Sequence, residues 1–190
     1  MIYYLMGKSA SGKDTLYLKI MAKCPFLKKI NMYTTRPKRE TEIDGREYNF
    51  IDEDFLLKNK DKIIEKRVYN TVFGPWTYAT LDLGDININD NYLMIGTLES
   101  YKKMKEYFGD KNIMPLYIEV PYETRLKRAI NRDKAEQRSL IEEINRRLAQ
   151  DEIDFSENNI LDANIKKRYN NQDSDICAKE IIEVIERTKC

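Results

Sequence analysis

The sequence predicts an α/β fold, a parallel sheet flanked by helices, and three observations carry that expectation. Short apolar runs of strand length alternate with amphipathic runs of helical period. The first apolar run ends at a glycine-lysine loop that opens a helix, as in strand-loop-helix units. The 190 residues show no repeat, low-complexity tract or linker, so one domain is expected over 1–190.

The elements follow in order. Ile2–Met6 reads as a buried strand closed by Gly7, and Thr15–Lys23 as a helix stopped before Pro25. Lys29–Thr35 reads as a second strand. Residues 36–83 are more polar, carry the turn signals Asp44-Gly45 and Phe73-Gly74-Pro75, and predict a small insertion with a helix over Asp52–Lys66. Then come a strand at Tyr92–Ile95, a helix at Leu98–Tyr107, a strand at Met114–Val120 and a helix at Pro121–Arg132. A helix over Ser139–Asp154, a strand at Ile165–Tyr169 and a closing amphipathic helix at Ser174–Arg187 complete the pattern. Continuous apolar strands between helices call for a sheet covered on both faces.

Composition narrows the chemistry. Lys and Arg number 33 against 32 Asp and Glu, a net charge of +1, which argues against polymeric nucleic acid or a membrane surface as partner. No apolar run nears the roughly 18 residues of a membrane span, and Met1–Met6 lacks the basic flank of a signal peptide. Cys24, Cys177 and Cys190 are widely spaced and suit a reducing cytoplasm better than a disulfide framework. The chain contains no histidine, so histidine triads, bases and metal sites are excluded.

The strongest motif is Gly7-Lys8-Ser9-Ala10-Ser11-Gly12-Lys13-Asp14-Thr15, with G-x-x-x-x-G-K spacing between a strand and a helix. Glycines let successive N–H groups turn toward phosphate oxygens, and the helix N-terminus adds its positive dipole end. ATP-binding is therefore expected at Gly7, Ser9, Ala10, Ser11, Gly12, Lys13, Asp14 and Thr15, with Lys13 as the mobile charge. Asp14 stands where a hydroxyl residue usually meets Mg²⁺. Two readings stay open: Asp14 and Thr15 as metal-site residues, or Asp14 as a first-turn acid favoured by the dipole.

The segment Thr34-Thr35-Arg36-Pro37-Lys38-Arg39-Glu40-Thr41-Glu42-Ile43-Asp44-Gly45-Arg46-Glu47-Tyr48-Asn49-Phe50 meets every fixed position of T-T-R-x-x-R-x-x-E-x-x-G-x-x-Y-x-F. Here the chain resembles the guanylate kinase family, over most of its length. The resemblance implies a P-loop kinase fold with a core of 1–35, 84–125 and 146–190, an acceptor-binding insertion at 36–83 and a lid at 126–145. It implies transfer of the ATP γ-phosphate to a nucleoside monophosphate, GMP foremost, with Mg²⁺. Arg36, Arg39 and Tyr48 fall where the family binds the acceptor phosphate, and Glu65 where it accepts hydrogen bonds from guanine. Read alone, Glu65 is equally a charged residue ending a helix.

Three positions depart from the family. Met32 replaces a serine that touches the base, Phe73-Gly74-Pro75 lacks the hydroxyls of Y-G-[ST], and Thr97 replaces a strand-end aspartate. Thr77, Tyr78 or Thr80 could supply a missing hydroxyl. The departures keep open a kinase of another monophosphate. A non-catalytic binding module and an acceptor-free NTP hydrolase are further alternatives, the former opposed by Lys13.

Arg125, Arg128 and Arg132 share one helix face at i, i+3 and i+7. Arg128, Arg132 and Arg147 match the family's lid arginines and are expected, with Lys13, to stabilise the transferring phosphoryl group, whereas Arg125 is expected on a solvated face. Asn170 and Asn171 fall loosely where the family contacts adenine, and equally suit a plain turn. Whether the chain is a monomer or a homo-oligomer is open.

Overall fold

The computed structural model describes residues 1–40, 42–71, 74–135 and 141–189. Of the residues singled out above, Thr41, Phe73 and Cys190, and the stretch 136–140 of the expected lid, lie outside them.

Five parallel strands form the central sheet: β1 (Ile2–Gly7), β2 (Lys28–Lys29), β7 (Tyr92–Gly96), β8 (Ile113–Glu119) and β9 (Arg168–Asn170), in the order β2-β7-β1-β8-β9. Every residue of β1 is buried. Its side chains alternate between two apolar layers, as the two-residue period of a strand requires. Tyr3 and Leu5 face helices α1 (Lys13–Lys23) and α7 (Ser174–Thr188) through Leu16, Ile20, Ile181 and Ile185. Ile2, Tyr4 and Met6 face the other way, toward α3 (Leu98–Phe108), α6 (Glu157–Asp162) and Phe155. Each fully buried aliphatic side chain contributes about 1.5–3 kcal/mol.

Cys24 and Cys177 are free thiols buried in the first layer. Burial pushes the Cys177 thiol up to about 11, which makes it inert packing material.

A smaller sheet follows the order β4-β3-β6-β5, with β3 (Tyr33–Thr34), β4 (Asn49–Phe50), β5 (Ile63–Thr71) and β6 (Gly74–Leu81). Short helix α2 (Glu53–Lys58), capped by Asp52 on the Phe55 N–H, closes its apolar face. Two expectations are corrected here. Lys29–Thr35 is not one strand: β2 joins the central sheet and β3 the smaller one. The helix expected over Asp52–Lys66 stops at Lys58. After one 3₁₀ turn the chain enters β5, antiparallel to β6. Ile63, Ile64, Val68 and Tyr69 favour the pleated conformation, and β6 supplies the partner that a single strand lacks.

Helices α4 (Tyr122–Ala135) and α5 (Ile141–Asp154) pack through Ala129, Ile144 and Leu148, with Ala10 of the glycine-lysine loop at the edge of the cluster. The sequence did not anticipate α6. The last strand, expected at Ile165–Tyr169, runs over Arg168–Asn170. Among the described residues no helix is long and apolar enough to cross a membrane.

Candidate active site

Strand β1 delivers the glycine-lysine loop to the C-terminal edge of the sheet, beside the ends of β7 and β8, where open α/β folds hold ligands. Gly12 caps α1 in the left-handed region (φ 85°), and a Cβ there would also lie 2.5 Å from Asn171 Nδ2. Only glycine suits both demands. Ala10 adopts φ 58°, so the loop curls back on itself. Lys13 folds over it, donating from Nζ to Gly7 O at 2.7 Å and Lys8 O at 3.0 Å. Burial lowers the Lys13 ammonium from 10.5 to about 8, against an opposing pull from Asp14 and Asp151.

The loop already holds an anionic group. The Ser9 N–H donates to Asp151 Oδ2 at 2.7 Å, while Lys8 pairs with Glu152 at 2.5 Å. A main-chain N–H that donates to a carboxylate oxygen so closely is suited to a phosphate oxygen. Asp14 and Thr15 sit exposed in the first turn of α1. Asn171 is 1% exposed and donates to Ser11 O at 2.7 Å, pinning the loop from β9's end.

Across the cleft, Arg36 is buried and held as a fork by Glu42, with Nη2–Oε1 at 2.7 Å and Nη1–Oε2 at 3.0 Å. Its guanidinium lies 5.5 Å from the ring centres of both Tyr48 and Phe50, a cation–π clamp. Thr34 Oγ1 accepts from the Arg36 N–H at 3.1 Å and donates to Thr77 O, so β3 and β6 set the arginine's position. Arg36 holds the Glu42 carboxyl below its usual range. Arg39 is exposed, and its backbone N–H also donates to Glu42. Burial raises the Tyr48 phenol, and its electrostatic neighbours include Tyr78, Arg36, Asp14 and Arg67.

Glu65 lies on β5, not at a helix end. It is buried, accepting from Thr80 Oγ1 at 2.9 Å and from Arg67 Nε at 3.0 Å. The same guanidinium donates to Thr97 Oγ1 at 3.2 Å and reaches Met32 Sδ at 3.5 Å. Two positions that depart from the family are thus joined by a residue that sequence reading missed. The available signal was spacing: positions 65 and 67 share a strand face, but not a helix face. Of the three hydroxyl residues near Pro75, Tyr78 stacks edge-on with Tyr48, Thr80 binds Glu65 and Thr77 turns to Glu53.

The arginines of α4 and α5 divide. Arg125, expected on a solvated face, is 1% exposed: it donates to Val120 O at 3.2 Å and pairs with Glu152, because α5 packs over that face. Arg128 donates to Asn171 O at 2.9 Å, beside the loop. Arg147 is exposed on α5. Arg132 is exposed in the last turn of α4. Asp151 and Glu152 are further site residues that no motif flagged.

Comparison with known proteins agrees with this geometry. The family model described as Guanylate kinase matches residues 2–187. Guanylate kinase of Helicobacter hepaticus is 25% identical over 118 residues, 57% of this chain and 55% of that protein. The protein of the same name from Nitratidesulfovibrio vulgaris is 31% identical over 87 residues, 44% and 42% of the two chains. The matched stretches thus span about half the length of these curated relatives. The crystal structure of guanylate kinase from Anaplasma phagocytophilum superposes with a TM-score of 0.69 at 21% identity, covering 100% of this chain and 86% of that one, a likeness of fold. With the motif-bearing loop, the arginine clamp and a family match running almost end to end, the chain belongs to the guanylate kinase family.

Proposed function

We propose that the chain transfers the γ-phosphoryl group of ATP to a nucleoside monophosphate, GMP foremost, releasing ADP and the nucleoside diphosphate. One observation supports the reading: Arg67 of the smaller sheet donates to Thr97 Oγ1 at 3.2 Å at the end of β7, and Gly96 beside it pairs with Met6 at the start of the Lys13 loop, so the sheet that carries the Arg36–Tyr48 clamp meets the edge that carries the loop. Two anions can be held end to end there. The division that serves this task is a core of 1–35, 84–125 and 146–190, an acceptor-binding insertion at 36–83 and a lid at 126–145.

In this reading the loop from Gly7 to Thr15 grips the triphosphate and Lys13 follows its β- and γ-oxygens. Arg36, with Arg39 and Tyr48, fixes the acceptor phosphate. An acceptor oxygen attacks the γ-phosphorus in line, and the bond to the β–γ bridging oxygen breaks as ADP leaves. The acceptor phosphate is already ionised near neutral pH, so no strong base is needed, in keeping with a chain that has no histidine. Arg128, Arg132 and Arg147 neutralise charge on the moving group and help exclude water.

Among the described residues no three His, Cys, Asp or Glu side chains gather as a metal cage. Asp14 or Thr15, exposed in the first turn of α1, would complete the coordination of Mg²⁺ brought by ATP, since Mg²⁺ is usually bound through one or two side chains plus phosphates. When bound, it neutralises developing phosphate charge. A cytoplasmic setting, where both nucleotides abound, fits the reading.

The test is ADP release with ATP, Mg²⁺ and a panel of monophosphates. Turnover should need an acceptor and fall by about 10²–10³ in Lys13→Ala. Equal ADP release with no acceptor would replace the proposal by simple hydrolysis.

A further inference from the structure

The wall beside the arginine clamp has its own chemistry. On β5, Glu65, Arg67 and Tyr69 share one face, opposite Thr80, Tyr78 and Trp76 of β6 in the ladder. Tyr78 stands between Tyr69 and Tyr48, with ring centres 5.6 Å from each. The Arg67 guanidinium is therefore the next polar group along the wall after the Tyr48–Arg36 clamp. It crosses from the insertion to the end of β7, where Thr97 also caps α3 on the Ser100 N–H at 3.2 Å.

Glu65 and Arg67 are not equivalent members of this pair. The Glu65 side chain is 2% exposed and its oxygens are taken by Thr80 and Arg67; the Arg67 side chain, 10% exposed, extends past it to Thr97 and Met32. Glu65 takes the Nε and Nη2 side of the fork. The other contacts of the Nη nitrogens are a threonine oxygen and a thioether sulfur, both weak partners for a cation. A base seated next to a phosphate held by Arg36 would thus meet a donor fork before it met a carboxylate.

We propose that Arg67 reads the base of the acceptor nucleotide by donating to an acceptor-only edge, and that Glu65 is a positioning residue behind it. The inference rests on the phosphotransfer reading above. A guanidinium carries donors and no acceptor, so it selects the O6/N7 edge of a 6-oxopurine, while adenine sets an amino donor beside N7. On this proposal the 2-amino group, which distinguishes guanine from hypoxanthine, is not read by Glu65, whose oxygens are engaged by Thr80 and Arg67.

The experiment compares GMP, IMP, AMP, CMP and UMP as acceptors for the full chain, then for Glu65→Gln and the double variant Glu65→Gln/Arg67→Gln. The double variant leaves no buried charge unpaired. Wild type should use GMP and IMP within about tenfold of each other and AMP at least about a hundredfold less well. Glu65→Gln should raise KM for GMP and IMP together, leaving their ratio unchanged. The double variant should raise both KM values by about thirtyfold or more, with kcat less affected, and erase the preference over AMP.

A wild-type preference for GMP over IMP above about a hundredfold would overturn the inference, since a carboxylate would then be reading the 2-amino group. So would a pyrimidine monophosphate as best acceptor, or a double variant that keeps its 6-oxopurine preference. Failure of wild type to phosphorylate any monophosphate would instead remove the phosphotransfer reading itself, and shows before any variant is made.

Discussion

At the scale of single residues, the electrostatics of Lys13 makes the sharpest prediction. Burial holds its ammonium at about 8, against 10.5 in the unfolded chain. A bound triphosphate favours the charged form, so ATP affinity should fall about tenfold per unit as pH rises above 8, with proton uptake on binding. Stability of the empty protein should move the other way. Between about 8 and 10.5 the unfolded chain holds the Lys13 proton that the folded one has released, so this lysine's contribution to folding improves as pH rises there. Calorimetry in buffers of different ionisation enthalpy, with denaturant titrations across the same range, checks both signs. Lys13 and Arg36 were legible in the sequence because their motifs have rigid spacing. Arg67 and Asp151 were not, and Asn171 was read only loosely, as an adenine contact or a plain turn: each matters through a contact with a distant segment, such as Arg67 to Thr97 or Asn171 to Ser11, and no local pattern records such a contact.

At the scale of elements, the C-terminal end of β7 is tightly constrained. A Cβ on Gly96 would lie 1.8 Å from the Tyr4 hydroxyl and 2.6 Å from its ring carbon. Tyr4 is fully buried against Tyr101 and cannot swing away. Gly96→Ala should cost about 1–3 kcal/mol in chemical unfolding, the range for overpacking a closed core. It should also weaken acceptor binding more than ATP binding, since Gly96 adjoins Thr97. Strands β1, β7 and β8 were readable because they are continuous apolar runs, and α7 because its isoleucines recur at helical spacing. The smaller sheet was not. In β5, Glu65, Lys66 and Arg67 break the apolar alternation, and what makes the segment a strand is its pairing with β6. That same misreading hid Arg67, which a helix would have turned away from Glu65.

At the scale of the whole molecule, the cleft joins segments far apart in the chain. Ligand should therefore stabilise the fold as a unit. ATP at about one hundred times its dissociation constant should add about 2.7 kcal/mol to unfolding. Lys13→Ala at the same ATP concentration should lose most of that gain in a thermal melt. A second feature of the whole concerns the margins of the central sheet. One margin is β2, only two residues long and made of exposed Lys28 and Lys29; the other is β9, where Arg168 is tied to Glu119 and Glu157. Such short, charged rims give a neighbouring molecule little backbone of the central sheet to add onto, so this sheet discourages edge-to-edge growth at both of its own margins.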